Sequence, residues 1–249
     1  MGESQLPRLT SLLQLSKAHR QAWKGIERRS VTNTETFPAS NTKQQTLATM
    51  TGGTILTIIG TLLLLIAFCS SHWLESRRHA YSEFVKLGLW EVCFDHYYHH
   101  SFQFHYAFTG CHWVYSPQYR LIWEFIMPPW FLAVQGLVTA SLLLSITSLI
   151  LLAVVYLQLQ QKATSTIISA AVIQNTMIGT LLLVAIIVFG IKAQDQSWMP
   201  HQLYNFYGWS YWLTFTSIIF HFVAAWVSYR QNRKRMPAGV TSIAASRGP

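Results

Sequence analysis

Residues 163–191 read ATSTIISAAVIQNTMIGTLLLVAIIVFGI and contain no Asp, Glu, Lys or Arg. A helix needs about 20 mostly apolar residues to cross about 30 Å of hydrocarbon, so this stretch is long enough to span a bilayer. Three further runs lack these charges, at 44–74, 125–161 and 196–229. Because a charge at mid-membrane costs about 2.5–3.5 kcal/mol, the four runs predict four transmembrane helices.

The overall composition supports the same prediction. The chain has 249 residues, of which 51% are hydrophobic and 11% are charged, whereas about 25% of a soluble domain is charged. A soluble protein with buried helices is disfavoured, because such helices rarely run this long without a charge. We predict spans at 50–69, 130–156, 167–190 and 207–229, separated by exposed loops at 70–129 and 191–206.

The distribution of positive charge predicts the orientation. Thirteen of the 18 Lys and Arg residues lie in 1–49, in the loop at 157–166 and in 230–249. Positive loops stay in the cytoplasm, so we expect both termini there and the other two loops outside. The net charge of +9 then faces anionic lipid headgroups and requires no nucleic-acid partner. Residues 1–49 and 230–249 are expected to be disordered tails flanking a membrane domain at 50–229, with an amphipathic membrane-surface helix over Leu6–Ile26 as the alternative for part of the first tail.

Cys93 and Cys111 both lie in the large exposed loop at 70–129. In an oxidising compartment, exactly two cysteines in one loop predict a disulfide. Closing this loop would stabilise it by about 3 kcal/mol. The third cysteine, Cys69, lies at the outer end of the first span, where we expect it to be a buried packing residue.

The same loop alternates apolar and polar residues in a way typical of strands. Aromatic and β-branched residues at a period of two predict a small antiparallel sheet, with a turn at Thr109-Gly110. After the last strand, Pro117–Met127 has a helical pattern. The predicted strands are Val85–Phe94, Phe102–Phe108 and Cys111–Tyr115.

These residues resemble the claudin family. Trp73, then Gly88-Leu89-Trp90, Cys93 and Cys111, match its W…GLW..C…C signature, and Gly208-Trp209 after Tyr207 is similar to its segment closing the second loop. The resemblance covers about residues 50–229. It is nearest to the arthropod septate-junction claudins in the runs Cys111–Ser116 and Met127–Phe131 and in Gln135.

The resemblance implies a left-handed, all-α four-helix transmembrane bundle that carries a small extracellular antiparallel sheet. The first loop would supply most strands and the second loop one strand. Trp73 and Gly88-Leu89-Trp90 would anchor this sheet to the membrane surface, since indole rings favour the interface and glycine permits close backbone approach.

The implied function is that of a structural adhesion protein in the plasma membrane of epithelia. It would lie at lateral cell–cell junctions, septate or tight, and form or organise the paracellular barrier. Its implied partners are other claudin-like proteins beside it and extracellular loops of the opposing cell. The alternative is an auxiliary subunit or regulator of another membrane protein, such as a channel or receptor, as in the wider superfamily of myelin proteins.

The sequence departs from the family pattern at several places. The predicted cytoplasmic segments contain no cysteine, so the usual palmitoylation sites are missing. Ser246-Arg247-Gly248-Pro249 lacks the Tyr-Val ending that PDZ domains bind, so a PDZ scaffold is not expected. The spacing between Cys93 and Cys111 exceeds the usual vertebrate spacing, which implies a larger hairpin.

Five histidines cluster between positions 96 and 112 of the large loop. We interpret them as an exposed polar loop tip, with proton-sensitive adhesion and metal binding as alternatives. No nucleophile–base pair, phosphate loop or paired carboxylates stand out, so we expect no enzyme activity, cofactor or metal. A pore through the bundle is disfavoured, because His221 is the only ionisable residue inside a span. The histidines are His96, His99, His100, His105 and His112.

Polar and small residues inside the spans predict how the helices pack. We expect Gln135, Gln174, Asn175 and His221 to form hydrogen bonds between helices, at about 1 kcal/mol each. Small residues permit close approach of two helices. Those concerned are Gly52, Gly53, Gly60, Gly136, Ala140 and Gly179.

Overall fold

The computed structural model describes residues 39–77, 82–99, 106–157, 164–195 and 198–235. The chain divides into two units, Met1–Leu47 and Ala48–Pro249. The second unit contains the sheet and, apart from the start of the first helix, all four long helices. The expected disorder of 1–38 and of 236–249 lies outside the described residues. So do His100 and His105.

Four long helices dominate the described structure. They are α1 (Ala39–Cys69), α2 (Pro129–Tyr156), α3 (Thr164–Lys192) and α4 (Trp209–Arg235). Each includes a segment long and apolar enough to cross a membrane. The prediction of a four-span helical membrane protein is therefore confirmed.

The ends of two helices differ from the sequence-based prediction. α1 begins at Ala39, well before the predicted span, because residues 39–48 contain no glycine or proline to interrupt a helix. α4 begins at Trp209 rather than at Tyr207, which belongs to a strand. α4 also continues to Arg235, so residues 230–235 are helical and not a disordered tail.

A five-stranded sheet lies between α1 and α2 in the sequence and receives one strand from the α3–α4 loop. Its order is β4-β3-β2-β1-β5, and all neighbouring strands are antiparallel. The predicted fold class, a four-helix membrane bundle with a small antiparallel sheet, is confirmed. The strands are β1 (Leu74–Ser76), β2 (Phe84–Leu87), β3 (Glu91–Tyr97), β4 (Phe108–Trp113) and β5 (Asn205–Tyr207).

The prediction of one continuous strand over Val85–Phe94 is wrong. The chain reverses between β2 and β3, where the amide of Gly88 donates to the carbonyl oxygen of Glu91 at 2.8 Å. The alternating pattern hides this reversal, because Leu87 and Leu89 are both fully buried although one ends a strand and the other lies in the turn.

The predicted turn at Thr109-Gly110 is also wrong. Both residues lie inside β4, where Gly110 pairs with Phe94 and has a φ of 100°. The pairing shifts register between Phe94 and Tyr97, so the glycine accompanies a β-bulge rather than a turn. β4 ends at Trp113, and most of the predicted strand Phe102–Phe108 lies outside the described residues.

The segment after β4 is helical, as the sequence indicates. A 3-10 helix at Pro117–Ile122 is followed by one helical turn at Trp123–Ile126. The hydroxyl of Ser116 accepts a hydrogen bond from the amide of Gln118 at the start of this segment. Such capping replaces a backbone partner that the first turn lacks.

One polar cluster joins all four helices inside the bundle. Asn175 on α3 donates to the hydroxyl of Ser148 on α2 at 2.9 Å, and its Oδ1 accepts from the hydroxyl of Thr57 on α1. The same Oδ1 lies 2.9 Å from Nδ1 of His221 on α4. Gln174 also reaches a neighbouring helix, at Thr147. The predicted hydrogen bonds between helices are therefore present for three of the four polar residues.

Small residues permit close helix contacts at only part of the predicted positions. A Cβ at Gly60 would lie 3.1 Å from Nε2 of His221, and one at Gly179 would lie 2.9 Å from the ring of Phe222. Gly53 similarly faces Ser228. A Cβ at Gly52 or Gly136 would meet no atom within 4 Å, so the prediction is wrong there. Ala140 is exposed on the bundle surface, so the prediction is wrong there too.

Cys69 is exposed at the end of α1, so the prediction that it is a buried packing residue is wrong.

Candidate functional site

The candidate site is the sheet together with its attachments to the helices. Its two cysteines are direct neighbours across β3 and β4, since Cys93 pairs with Cys111 in the ladder. Their Cα atoms are 4.0 Å apart and their Sγ atoms form a disulfide. Cys93 is buried and Cys111 is exposed. The bond therefore links the outermost strand β4 to the interior of the sheet.

Trp73 attaches the start of the sheet to α1. Its indole is fully buried, and Nε1 donates to the carbonyl oxygen of Ala67 at 2.9 Å. That oxygen lies in the last turn of α1, where carbonyls lack partners within the helix. The ring also packs edge-on against Phe189 of α3, with 5.3 Å between ring centroids. One side chain thus contacts two helices and precedes β1.

Gly88 allows the turn between β2 and β3 to lie directly on the backbone that follows α1. A Cβ at this position would overlap with Cα of Ser71 and would lie 2.5 Å from the carbonyl oxygen of Ser70. Both neighbours are main-chain atoms, which cannot rotate away. The position consequently accepts only glycine without displacement of the turn.

Leu89 and Trp90, which follow Gly88, contact α2 and α1 respectively. The carbonyl oxygen of Leu89 accepts a hydrogen bond from Nε2 of Gln135 on α2. The half-buried ring of Trp90 packs against Phe68 of α1, with 5.1 Å between centroids. Gln135 was expected to join two helices, but the structure shows that it joins a helix to the sheet. Nothing local in the sequence signals this bond, since its partners are 46 residues apart.

Gly208 and Trp209 connect β5 to the other side of β1. The amide of Gly208 donates to the carbonyl oxygen of Trp73 at 3.1 Å. A Cβ at Gly208 would overlap with the main-chain carbonyl group of His72, which leaves no room for a larger residue. Trp209 is 46% exposed and stacks on His72. The signature residues of both loops therefore converge on the junction between sheet and helices.

An aromatic layer packs beneath the disulfide-linked strands. Phe94 stacks on Tyr97, which in turn stacks on Phe125 at 5.9 Å between centroids. The hydroxyl of Tyr119 donates to the carbonyl oxygen of Val92 at 3.2 Å. Trp198, from the second loop, donates from Nε1 to the carbonyl oxygen of Phe125 at 3.0 Å. The sequence did not predict these roles of Tyr119 and Trp198. The available signal is a large aromatic residue with a proline two positions away.

Burial controls the titration of two tyrosines in this layer. Removal from water raises the pKa of Tyr97 to about 12, with a smaller contribution from the charge of Glu83. Burial likewise raises the pKa of Tyr119 to about 12, with Glu91 and then Tyr106 adding to the effect. Both phenols therefore remain neutral hydrogen-bond donors at physiological pH.

Three histidines of the large loop, His96, His99 and His112, contact different groups. The imidazole of His96 is 74% exposed and lies 2.6 Å from the carboxylate of Asp95. His99 contacts the hydroxyl of Tyr97, and the ring of His112 packs edge-on against Tyr119. Among the described residues, the group that meets the spacing of a metal site contains Glu91 and the two disulfide cysteines. Disulfide sulfurs do not act as thiolate ligands, so this group is not a metal centre.

Large apolar side chains project from the outer part of the sheet. Leu203, in the short 3-10 helix Gln202–Tyr204 next to β5, is 93% exposed. Trp113 on β4 is 58% exposed, and Leu121 in the 3-10 helix after β4 is 52% exposed. Sequence reasoning did not single out these residues. Nothing local in the sequence distinguishes them, because single apolar residues in a loop are equally common in folded cores.

A search of curated proteins finds no match to the chain. A family model described as PMP-22/EMP/MP20/Claudin tight junction matches residues 58–227, which include all five strands and most of the four membrane spans. The chain therefore belongs to the PMP-22/EMP/MP20/claudin family.

Proposed function

We propose that this chain is a non-enzymatic adhesion protein of epithelial cell–cell junctions. It assembles side by side with itself or with other claudin-like proteins, contacts extracellular loops of the opposing cell, and forms or organises the paracellular barrier. Membership of the family supports a junctional or membrane-associated role. In the proposed topology the chain lies in the plasma membrane, its sheet is extracellular and both termini are cytoplasmic, which agrees with the distribution of Lys and Arg.

The single observation that carries the proposal is a group of exposed apolar side chains at the start of β5, formed by Leu203, Tyr204 and Phe206. Leu203 is 93% exposed, Tyr204 49% and Phe206 41%, although this segment lies next to or within a sheet that is attached to the bundle. A large apolar side chain fixed in this way has no role in the core of its own chain. Exposed apolar surface on a rigid support is typical of a protein contact site. We assign Leu203 to contact with the opposing cell.

A second surface supports assembly within one membrane. β4 is an outer strand of the described sheet and carries the exposed ring of Trp113. Unpaired backbone groups at a sheet edge readily pair with another chain, and tryptophan is enriched at energetically important contacts. We therefore assign the β4 edge to lateral contacts. The similarity of residues 111–116 and 127–131 to arthropod claudins favours a septate junction over a tight junction.

The test uses tagged full-length protein in a polarised epithelium depleted of the endogenous protein. Depletion should increase passage of a tracer between cells, and the wild-type protein should restore the barrier. Leu203→Glu should reach the surface yet fail to concentrate where two expressing cells meet, because it places a charge in an apolar contact. Trp113→Glu should instead reduce lateral cross-linking within one membrane.

Gln118→Glu is the matched control, since it adds the same charge at an exposed polar position beside the sheet. This variant should behave like the wild type. Diffuse surface staining together with an unchanged tracer barrier after depletion would refute the junctional role. Stable co-purification with a channel or receptor, without enrichment at cell contacts, would instead favour the role of an auxiliary subunit.

A further inference from the structure

A groove runs between α3 and α4 on the outer surface of the bundle, in the half of the membrane opposite the sheet. Its walls are mostly apolar, with two hydroxyl-bearing residues, and it opens sideways on the outside of the bundle. The lining residues are Val172, Thr176, Phe222, Ala225, Trp226 and Tyr229.

The two ends of this groove are different. At its deep end the ring of Phe222 packs on the backbone of α3, since a Cβ at Gly179 would lie only 2.9 Å from that ring. At its other end the groove reaches Trp226 and Tyr229, which are 58% and 51% exposed. The helices therefore touch near mid-membrane and leave a furrow toward the membrane surface.

Positive charge stands at the surface end of the groove. The guanidinium carbon of Arg230 lies 4.8 Å from the ring centroid of Trp226, so this cation sits directly over a groove wall. Arg233 follows on the same side of the helix, because positions 222, 226, 229 and 233 lie three or four residues apart. Lys234 and Arg235 add two more charges to the last turn.

None of the four long helices contains an acidic residue that could pair with these cations. Asp195 is the last acidic residue of the sequence, so α4 contains none, and neither do α2 and α3. Among the described residues, Arg230 and Arg233 form no salt bridge. Repulsion between like charges can be relieved here by an anion from outside the chain.

The dimensions correspond to one membrane leaflet. From Phe222 to Arg233 the helix rises by about 16 Å, at 1.5 Å per residue. Half of the hydrocarbon core is about 15 Å thick. A molecule with an acyl chain along the groove would consequently place its headgroup beside Arg230 and Arg233.

We propose that this groove binds an anionic phospholipid. One acyl chain lies between α3 and α4, and the phosphate with its acidic headgroup contacts Arg230 and Arg233. In the proposed topology this lipid belongs to the cytoplasmic leaflet, where phosphatidylserine and phosphoinositides concentrate. The site is separate from the sheet and does not depend on the junctional role. It requires only that α3 and α4 span a membrane.

The experiment measures quenching of tryptophan fluorescence in the purified full-length protein by brominated lipids. The chain has 10 tryptophans, so the signal at the groove is defined as the quenching that Trp226→Phe removes. Brominated phosphatidylserine should quench Trp226 more strongly than brominated phosphatidylcholine does. The preference should fall by about fivefold for each arginine replaced in Arg230→Gln and Arg233→Gln.

Two controls separate a specific site from general attraction. The double variant Arg77→Gln with Arg120→Gln removes two exposed charges at the sheet end and should keep the preference. Ala225→Leu fills the groove and should abolish the Trp226 signal, whereas Ala133→Leu, at an exposed alanine of α2, should leave it unchanged.

Three outcomes would overturn the proposal. The first is an equal loss of preference in both double-arginine variants, which would mean that net charge alone attracts the lipid. The second is an unchanged Trp226 signal in Ala225→Leu. The third is protection of Trp226 from both lipids in a stable dimer, which would assign the groove to a second copy of the chain.

Discussion

The indole nitrogen of Trp73 and the carbonyl oxygen of Ala67 form a 2.9 Å hydrogen bond that links the sheet to the last turn of α1. Trp73→Phe keeps a buried ring but leaves this carbonyl without its partner. We expect the variant to lose about 1–3 kcal/mol of unfolding free energy. Thermal unfolding in detergent micelles, followed by tryptophan fluorescence, measures the change.

The matched control is Trp209→Phe, because Trp209 is 46% exposed and its side chain lies at the start of α4. That variant should change stability by about 0.5 kcal/mol or less. Equal losses in the two variants would show that any tryptophan near the sheet is equally important, and that the bond to Ala67 has no special role.

Gly88→Ala should disturb the turn between β2 and β3. The added Cβ meets the main chain of Ser70 and Ser71, which cannot move aside without displacing the end of α1. We expect a loss of about 1–3 kcal/mol. Gly136→Ala provides the comparison, since a Cβ at that helical position meets nothing within 4 Å. It should be neutral or stabilising by up to about 1 kcal/mol, because alanine favours helices. A harmless Gly88→Ala would contradict the close contact.

Removal of the disulfide should loosen the outer strand. Cys93→Ser combined with Cys111→Ser releases β4 from β3 and should cost about 3 kcal/mol, with reduced delivery to the cell surface. Surface biotinylation and unfolding in micelles measure the two effects. Cys69→Ser, at the exposed cysteine of α1, should have neither effect. Identical thiol labelling of the wild-type protein before and after reduction would disprove the bond.

Tyr97 and Tyr119 of the aromatic layer should lose their phenolic protons at a higher pH than an ordinary tyrosine does. The pKa of Tyr97 and of Tyr119 is about 12, above the ordinary value of 10.0, because burial disfavours the phenolate. The folded state therefore holds these protons more tightly than the unfolded state. Their contribution to stability is complete below pH 10 and is lost as the pH rises toward 12.

Ultraviolet absorbance of the phenolate groups measures this titration. Tyr97→Phe together with Tyr119→Phe should remove the component near pH 12, whereas Tyr98→Phe, at an exposed neighbour, should leave it in place. Persistence of the whole late component in the double variant would assign it to other tyrosines and contradict the burial argument.

Asn175→Ala should weaken the connection among the four helices. It leaves Ser148, Thr57 and His221 without a shared partner inside the bundle. The expected loss is about 1–2 kcal/mol, measured as a lower midpoint in a denaturing-detergent titration. Gln174→Ala, which removes one longer bond to Thr147, should cost less. A double-mutant cycle with His221→Ala should show coupling, and strict additivity would argue against a connected cluster.

The membrane spans and the disulfide could be predicted because each depends on a property that is local in the sequence. Absence of charge over a long run suffices for a span, as between Ala163 and Ile191. The reversal at Gly88 could not be predicted in the same way. The two-residue repeat of apolar side chains continues through the turn, since the turn residue Leu89 is buried like the strand residue Leu87.

Contacts between distant segments account for the other differences. Gln135 looked like a residue for helix pairing, because polar side chains within spans usually bond to another helix. Its partner is instead the carbonyl oxygen of Leu89, in the turn between β2 and β3. Gly136 next to it is small but faces open space, and Cys69 is exposed at the end of α1. Composition alone does not distinguish a helix face that packs from one that faces lipid.

The attachments of the sheet also determine how mechanical load would pass into the membrane. A pull on β4 is transmitted through the disulfide to β3 and through the ladder to β1. From there Trp73 transfers tension to α1, and Gln135 carries part of it to α2. The backbone at Gly208 leads directly into α4. Several spans therefore resist extraction together, so a force applied to the sheet is shared among the helices rather than borne by one of them.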